Sequence, residues 1–260
     1  MIKEPYYLVD FNVSLANFDI LINDVLAFSH DSGGSIYSNY PINHFILSSG
    51  VQQVKVRFKP LKNSQTIHHE AEAVIKIQYL DASTMDQKQL LTVYEYKMPK
   101  AESGKLPMLE LMGEFKAEVP YQLSGWKDAN IIDTKNKVAL ERIHNYYLRI
   151  YNLFRDKDLN TLASLLKKRY EETDTAMYLQ EDNIVGLNNI FKMLETEGYV
   201  MQDFPETPHI EFYAKNRIAN LVRMDKSPVI SYLKTESNEE FGFPFFIHLP
   251  KNKDSFEVIR

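Results

Sequence analysis

The spacing of the apolar residues changes near Trp126, and this change limits what the chain can fold into. Before Trp126 most apolar residues alternate with polar ones, as in the segment 54–59, where Val and Phe alternate with Lys and Arg. Period two places alternate side chains on opposite faces of a strand. After Trp126 they recur at three and four positions, which is the spacing of an amphipathic helix. The pattern predicts an α+β protein with a domain over 1–126, a linker over 127–137 and a second domain over 138–260.

The first domain is predicted to be an antiparallel β-sandwich, because its strands are short and numerous and no convincing helix separates them. Asn23 and Asp24 tolerate positive φ and predict a two-residue hairpin turn. Ser49-Gly50 predicts a second hairpin. The predicted strands are 5–14, 18–22, 25–29, 42–47, 51–59, 71–80, 88–98 and 108–122.

The second domain is predicted to have three helices followed by a curved antiparallel sheet. The first helix covers 135–156, Asp158 can cap the second, and the third ends near Gly198. The segment 171–183 is predicted to be a polar helix or a loop. The predicted strands are 209–215, 217–224, 228–235, 243–249 and 255–259.

Composition excludes several classes of protein. The chain of 260 residues has no cysteine, which excludes disulfides, thiolate zinc sites, iron–sulfur clusters and a cysteine nucleophile. Its formal charge is −5, and neither half has the basic excess that nucleic-acid binding needs. The long uncharged run 35–54 is interrupted by polar residues, so no membrane span is predicted. The first residues lack the pattern of a signal peptide, and we expect a cytoplasmic protein.

The densest metal-like cluster is His68-His69-Glu70. Adjacent residues on a strand point to opposite faces, so these side chains cannot readily share one ion. The loop around Gly33-Gly34 lacks the Lys-Ser/Thr ending of a phosphate-binding loop. We therefore predict neither a metal nor a cofactor.

Two segments of the second half carry a family resemblance. Residues 143–162 combine an aromatic-rich helix, a short charged turn and a leucine-rich second helix, and residues 243–260 read as two strands around a polar turn. This order resembles the cone-shaped family of nuclear transport factor two, ketosteroid isomerase and the polyketide cyclases. The resemblance covers about half of the chain and implies a cone-like domain. The family's short strand between the second and third helices has no counterpart in 171–183.

The cone resemblance implies a ligand pocket lined by Tyr147, Tyr151 and Phe154 of the first predicted helix. The alternative is that this aromatic stripe is simply core, because large aromatic side chains dominate ordinary packing. The sequence alone leaves open whether the cone is hollow or filled.

The same resemblance gives an enzymatic alternative. His209, Glu211 and Tyr213 share one face of a predicted strand, where they would be acid–base groups acting on a small apolar ligand, as in a ketosteroid isomerase or polyketide cyclase. The other interpretation is an ordinary solvent-facing strand, since one polar face is usual in an antiparallel sheet. We predict no catalytic residues otherwise, and favour a protein that is not an enzyme.

The segment 41–59 is similar to the edge-loop pattern of immunoglobulin-like and sugar-binding sandwiches. That resemblance implies a third function, the binding of a carbohydrate or another small ligand by the sandwich. An exposed Trp126 would favour it. A buried Trp126 would not.

As a whole, the chain looks like a bacterial immunity protein, because it is acidic, lacks cysteine and any catalytic motif, and joins two folds that often bind partners. The resemblance implies non-catalytic binding of another protein, a basic toxin that the chain would neutralise. The sequence does not indicate which oligomeric state the protein has.

An acidic partner-binding surface is predicted in the stretch where the chain departs from the cone family. Complementary charge speeds the encounter of two proteins more than it fixes their affinity. The alternative is a solvated helix end, since exposed charge runs usually keep a face soluble. The residues of this predicted surface are Glu171, Glu172, Asp174, Glu181 and Asp182.

Overall fold

The computed structural model describes residues 2–98, 105–180 and 182–260. Within these ranges the fold is mixed α+β, with three α-helices and four antiparallel sheets. The α+β class predicted from the change of period is confirmed.

The chain divides into two compact units. The first consists of Met1–Leu123 with Ala176–Tyr178, and the second of Ser124–Thr175 with Leu179–Arg260. The predicted linker over 127–137 stays a prediction.

Two four-stranded antiparallel sheets build the first unit. Its strands are β1 (Pro5–Ser14), β2 (Asn17–Ile22), β3 (Val25–His30), β4 (Ser35–Pro41), β5 (Gly50–Lys59), β6 (Glu72–Asp81), β7 (Leu91–Lys97) and β8 (Leu109–Ala117). One sheet has the order β4-β1-β6-β7 and the other the order β3-β2-β5-β8. The turn between β2 and β3 has φ angles of 51° at Asn23 and 63° at Asp24, so the predicted hairpin is confirmed.

Aromatic rings from both sheets share the core of the first unit. Phe11 of β1 packs against Phe18 of β2 and Phe28 of β3, with ring centroids 5.4 and 4.5 Å apart. Phe58 of β5 also contacts Phe18. These contacts follow from period two, which turns every second side chain of a strand inward.

The strand predicted over 42–47 is wrong. Residues Asn43–Phe45 form a 3₁₀ turn, because the buried Asn43 side chain accepts a hydrogen bond from Tyr7 N and donates one to Pro5 O. Such side-chain bonds compete with a strand ladder.

In the first unit, the sequence does not predict strand β4. Its residues are mostly Ser, Asn and Tyr, without alternating apolar positions, and it pairs with β1 over its whole length. The hairpin predicted at Ser49-Gly50 is therefore wrong as well, because no strand lies directly before it.

The second unit contains the helices and two smaller sheets. The helices are α1 (Lys137–Arg155), α2 (Leu159–Met177, whose last residues belong to the first unit) and α3 (Asn183–Thr196). The strands are β9 (Val200–Met201), β10 (His209–Tyr213), β11 (Ile218–Val222), β12 (Ser231–Lys234), β13 (Glu239–Gly242), β14 (Ile247–His248) and β15 (Glu257–Val258). The sheet orders are β10-β11-β14-β15 and β13-β12-β9. Strands β9 and β13 were not predicted.

Side-chain caps fix where the helices begin. Asn136 accepts hydrogen bonds from the backbone at the start of α1, and Asp182 does the same at the start of α3. The predicted cap of α2 is confirmed, since Asp158 Oδ1 accepts from Thr161 N at 3.1 Å. The chain leaves α3 through Gly198, whose φ of 77° favours glycine.

The core of the second unit packs the apolar stripe of α1 against α2, α3 and the sheets. Ile143, Tyr147, Ile150 and Phe154 of α1 are all buried, as the helical spacing predicts. Among the described residues, no helix combines the length and the apolarity needed to cross a membrane.

Candidate functional site

Strand β10 carries the predicted acid–base residues side by side. The Tyr213 hydroxyl donates to Glu211 Oε2 at 2.6 Å, and His209 Nε2 lies 3.8 Å from Glu211 Oε1. The alternate residues Ile210 and Phe212 pack against the core of the second unit. His209, Glu211 and Tyr213 therefore share the face of β10 that is turned away from this core.

The aromatic stripe of α1 is part of the core. Tyr147, Tyr151 and Phe154 are 1%, 8% and 0% exposed. The Tyr147 hydroxyl donates to the carbonyl of Phe245 and lies 3.3 Å from that of Ala219. Burial raises the pKa of Tyr147, so its phenol stays protonated as a hydrogen-bond donor.

Rings surround Phe154 on several sides. Its centroid lies 4.6 Å from that of Phe243 and 5.7 Å from those of Phe191 and Phe245. Where the sequence predicts a pocket lining, the side chain packs against other rings over much of its surface.

A cleft of about 240 Å³ opens beside this ring cluster. Of the three predicted lining residues Phe154 reaches it, and the Lys157–Glu195 ion pair lies at its edge. The cleft is smaller than the roughly 300–1,000 Å³ of typical ligand sites. Its apolar lining comes mainly from Phe154, Phe191, Leu194, Tyr199, Met201 and Tyr232.

The residues of the predicted acidic surface do not all lie on the surface of the protein. Glu171 and Asp182 are exposed, Asp174 is partly buried, and Glu181 lies outside the described residues. Glu172 is only 4% exposed, so the expectation that it is a surface charge is wrong. Helix α2 continues to Met177 and turns Glu172 inward, so the part of 171–183 up to Met177 is helix, one of the two predicted alternatives.

Glu172 is the centre of a buried polar cluster within the second unit. Its Oε2 accepts from Arg260 Nη1 at 2.9 Å, and both side chains are almost fully buried. Its Oε1 accepts from Gly125 N, Ser124 Oγ and Lys168 Nζ, each at 2.9 Å. We call Glu172 and these four partners the Glu172 cluster.

The cluster keeps Glu172 ionised. Desolvation by burial raises the pKa of Glu172, but the Arg260 guanidinium, the Gly125 N–H and Lys168 outweigh it and hold the pKa at about 2. The same guanidinium lies 5.1 Å from the centre of the Trp126 ring, which is buried. Trp126 is thus a packing residue of this cluster, which gives no support to carbohydrate stacking.

Sequence reasoning missed Arg260, because its partner is 88 positions away along the chain. The burial of Glu172, by contrast, could have been predicted from the sequence. Continued helical spacing from Leu162 and Leu166 places Glu172 and Ala176 on the buried face, where an acidic residue needs a partner.

His248 lies close to this cluster and is 4% exposed. Its Nε2 is 3.6 Å from Glu257 Oε2, its neighbour across the β14–β15 pair. Desolvation lowers the pKa of His248, while the charges of Glu257 and Glu172 act against this shift and Arg260 adds to it. The folded protein therefore favours the neutral imidazole.

A pH dependence follows from His248. A histidine whose pKa is lower in the folded than in the unfolded state binds its proton more strongly after unfolding. Its contribution to stability is present above about pH 6.5, the unfolded pKa, and is lost as the pH falls through the folded pKa. We expect urea unfolding at pH 5.5 to show lower stability than at pH 7.5, and the His248→Gln variant to show a smaller difference. An equal difference in both proteins would exclude His248 as the cause.

The corner between α2 and α3 exposes acidic and apolar side chains together. Leu179, Ile184 and Val185 are 42%, 45% and 53% exposed. Asn183 Nδ2 donates to Asp174 Oδ2 at 3.1 Å, which fixes the start of α3 beside the end of α2. We call this surface of the second unit the corner patch; it consists of Glu171, Asp174, Leu179, Asp182, Ile184 and Val185.

Three or more His, Asp or Glu side chains do not come together as metal ligands anywhere in the described ranges. Comparison of the chain with family models, with curated proteins and with solved structures found no match in any of the three.

Proposed function

We propose that this protein is a non-catalytic binding protein that recognises another protein, of basic character, through the corner patch. The observation that carries the proposal is the exposure of Leu179, Ile184 and Val185 between the end of α2 and the start of α3, where Glu171 and Asp182 are exposed as well. Protein interfaces combine apolar contacts with a polar rim, and contiguous exposed apolar residues mark such sites.

Charge determines the kind of partner. The net charge of the chain is −5, and the corner patch adds acidic side chains without a basic one. Lys167 pairs with Glu171 at 3.7 Å, but this pair is solvent-exposed and therefore weak. A basic surface on the partner would be attracted at long range and would meet the carboxylates at the rim.

A more specific proposal for the two folds and for the partner follows from the sequence resemblances. The first unit would be an antiparallel sandwich and the second a cone-like domain, with the aromatic side chains of α1 filling the interior of the cone. The partner would be a basic toxin that the protein neutralises in the cytoplasm, as immunity proteins do.

The enzymatic alternative receives less support. His209, Glu211 and Tyr213 lie together, but on the strand face opposite to the aromatic core that a cone-type active site would use. Carbohydrate binding by the first unit stays a prediction.

The experiment is affinity capture from an extract of the source cells. Immobilised wild-type protein is expected to retain a basic protein, identified by mass spectrometry. The variant Glu171→Lys/Ile184→Ser/Val185→Ser should retain at least about tenfold less of it, because it loses both a carboxylate and the apolar contacts.

A matched control separates the corner patch from general surface effects. The variant Glu236→Lys/Val200→Ser/Met224→Ser also reverses one exposed acid and removes two exposed apolar side chains, of which Val200 is 63% and Met224 76% exposed. It should capture the partner like the wild type. If the corner-patch variant and the control variant captured equal amounts of the partner, the corner patch would not be the binding surface. Turnover of a small ligand that depends on Glu211 would refute the non-catalytic function.

A further inference from the structure

Strand β4 is an open edge of the first unit. It is the terminal strand of the order β4-β1-β6-β7, and its register with β1 runs without a shift from Ser35 to Pro41. Ser35, Tyr37, Ser38 and Asn39 are exposed, with Tyr37 at 74%. Among the described residues of the first unit, no strand pairs with the outer side of β4.

The hydrogen bonds at both ends of β4 show which residues face outward. Ile42 N donates to Tyr7 O, and Leu15 N donates to Gly34 O, each at 2.9 Å. Bonded and non-bonded pairs alternate along an antiparallel ladder, so the even-numbered residues between these two bonds also bond to β1. Ser35, Tyr37 and Asn39 then direct their backbone N–H and C=O groups away from β1.

The other edges of the first unit carry features that oppose further pairing. Strand β7 has Glu95 and Lys97, and β8 has three charged residues along nine positions. Strand β3 has a register shift against β2 at Ile20/Leu21. Charges, bulges and prolines are the usual protection of an edge strand. Strand β4 has no charge and no bulge, and its one proline, Pro41, is its last residue.

We propose that β4 pairs antiparallel with β4 of a second copy of this chain, across a two-fold axis at Tyr37. The outward-facing residues lie symmetrically about Tyr37, so that Ser35 of one copy meets Asn39 of the other. Each such pair exchanges two backbone hydrogen bonds. The two Tyr37 side chains meet at the axis, and β4 brings no like charges together.

The symmetry favours a second copy over an extended segment of another protein. A foreign strand needs side-chain contacts that select it, and β4 offers no charge for that selection. Two short paired strands bury less than the roughly 800 Å² per partner of a standard interface, so the dimer should be weak, with a dissociation constant in the micromolar range.

Analytical ultracentrifugation of the full chain between about 1 and about 500 µM tests the proposal, since this range brackets micromolar dissociation constants. The wild type should change reversibly from monomer to dimer. Asn39→Pro removes one outward N–H and leaves the ladder to β1 intact, because proline is tolerated at the open side of an edge strand. It should weaken the dimer at least about tenfold with an unchanged circular-dichroism spectrum.

A second variant keeps the test valid if Asn39→Pro does not fold. Tyr37→Lys places two lysines opposite each other at the axis, and like charges directly opposite each other destabilise a pair of strands. It should also abolish the dimer. Met112→Lys, at a 66% exposed position of β8, is the matched control and should dimerise like the wild type.

Three results would overturn the proposal. They are a wild-type monomer over the whole concentration range, a dimer that persists in folded Asn39→Pro or Tyr37→Lys, and a dimer that Met112→Lys weakens equally. None of these results bears on the corner patch, which lies in the second unit.

Discussion

Replacing Arg260 by alanine is expected to lower the free energy of unfolding of the second unit by about 3–5 kcal/mol, because a buried carboxylate loses its charged partner. Glu172 is 4% exposed, so water solvates its carboxylate little in the folded protein. Lys168 remains within 2.9 Å but is itself partly exposed and compensates only in part.

The fluorescence of Trp126 measures this loss of stability. This residue is the only tryptophan of the chain, it lies in the second unit, and its ring faces the Arg260 guanidinium at 5.1 Å. Its fluorescence during urea unfolding therefore reports the second unit. Lys168→Ala is the control, with an expected loss of about 1 kcal/mol or less for a partly exposed ion pair.

A double variant separates charge from packing. In Glu172→Gln/Arg260→Met the amide oxygen can still accept from Gly125 N, and no unpaired charge is buried. It should regain more than half of the stability that Arg260→Ala loses. An Arg260→Ala loss below about 1 kcal/mol would contradict the role given to the Glu172 cluster.

Replacing Phe154 by alanine is expected to cost about 3–5 kcal/mol, since the ring is fully buried among Phe191, Phe243 and Phe245. A side chain that lined an open ligand pocket would leave less of a cavity behind and would cost less. The effect therefore tells core from pocket lining.

The same fluorescence measurement applies to this variant. Val138→Ala is the control in the same helix, 65% exposed, and should change stability by no more than about 0.5 kcal/mol. A loss below about 1.5 kcal/mol for Phe154→Ala would favour the pocket interpretation.

Local patterns in the sequence predict much of the fold. Asn23-Asp24 predicts the hairpin, Asp158 the cap, and the spacing from Ile143 to Phe154 the buried face of α1, because each depends on neighbours in the chain. The strand predicted at 42–47 fails because the Asn43 side chain bonds to backbone groups far away in sequence. Long-range partners of this kind leave no local pattern.

The same difference between local patterns and long-range partners applies to the candidate site. The acidic stretch identifies Glu171 and Asp182 as exposed charges, but it does not show that Glu172 is paired with Arg260. Strand β4 escapes prediction because its side chains do not alternate between apolar and polar. Its pairing with β1 provides the regularity that its own sequence lacks.

The most direct test of recognition through the corner patch is the association rate of the captured partner, measured by stopped flow at several salt concentrations. The wild-type rate should fall as salt rises, because complementary charges steer the encounter. Glu171→Lys should associate more slowly at low salt and depend less on salt, with an unchanged melting temperature. The same rates and the same salt dependence in both proteins would contradict recognition through this patch.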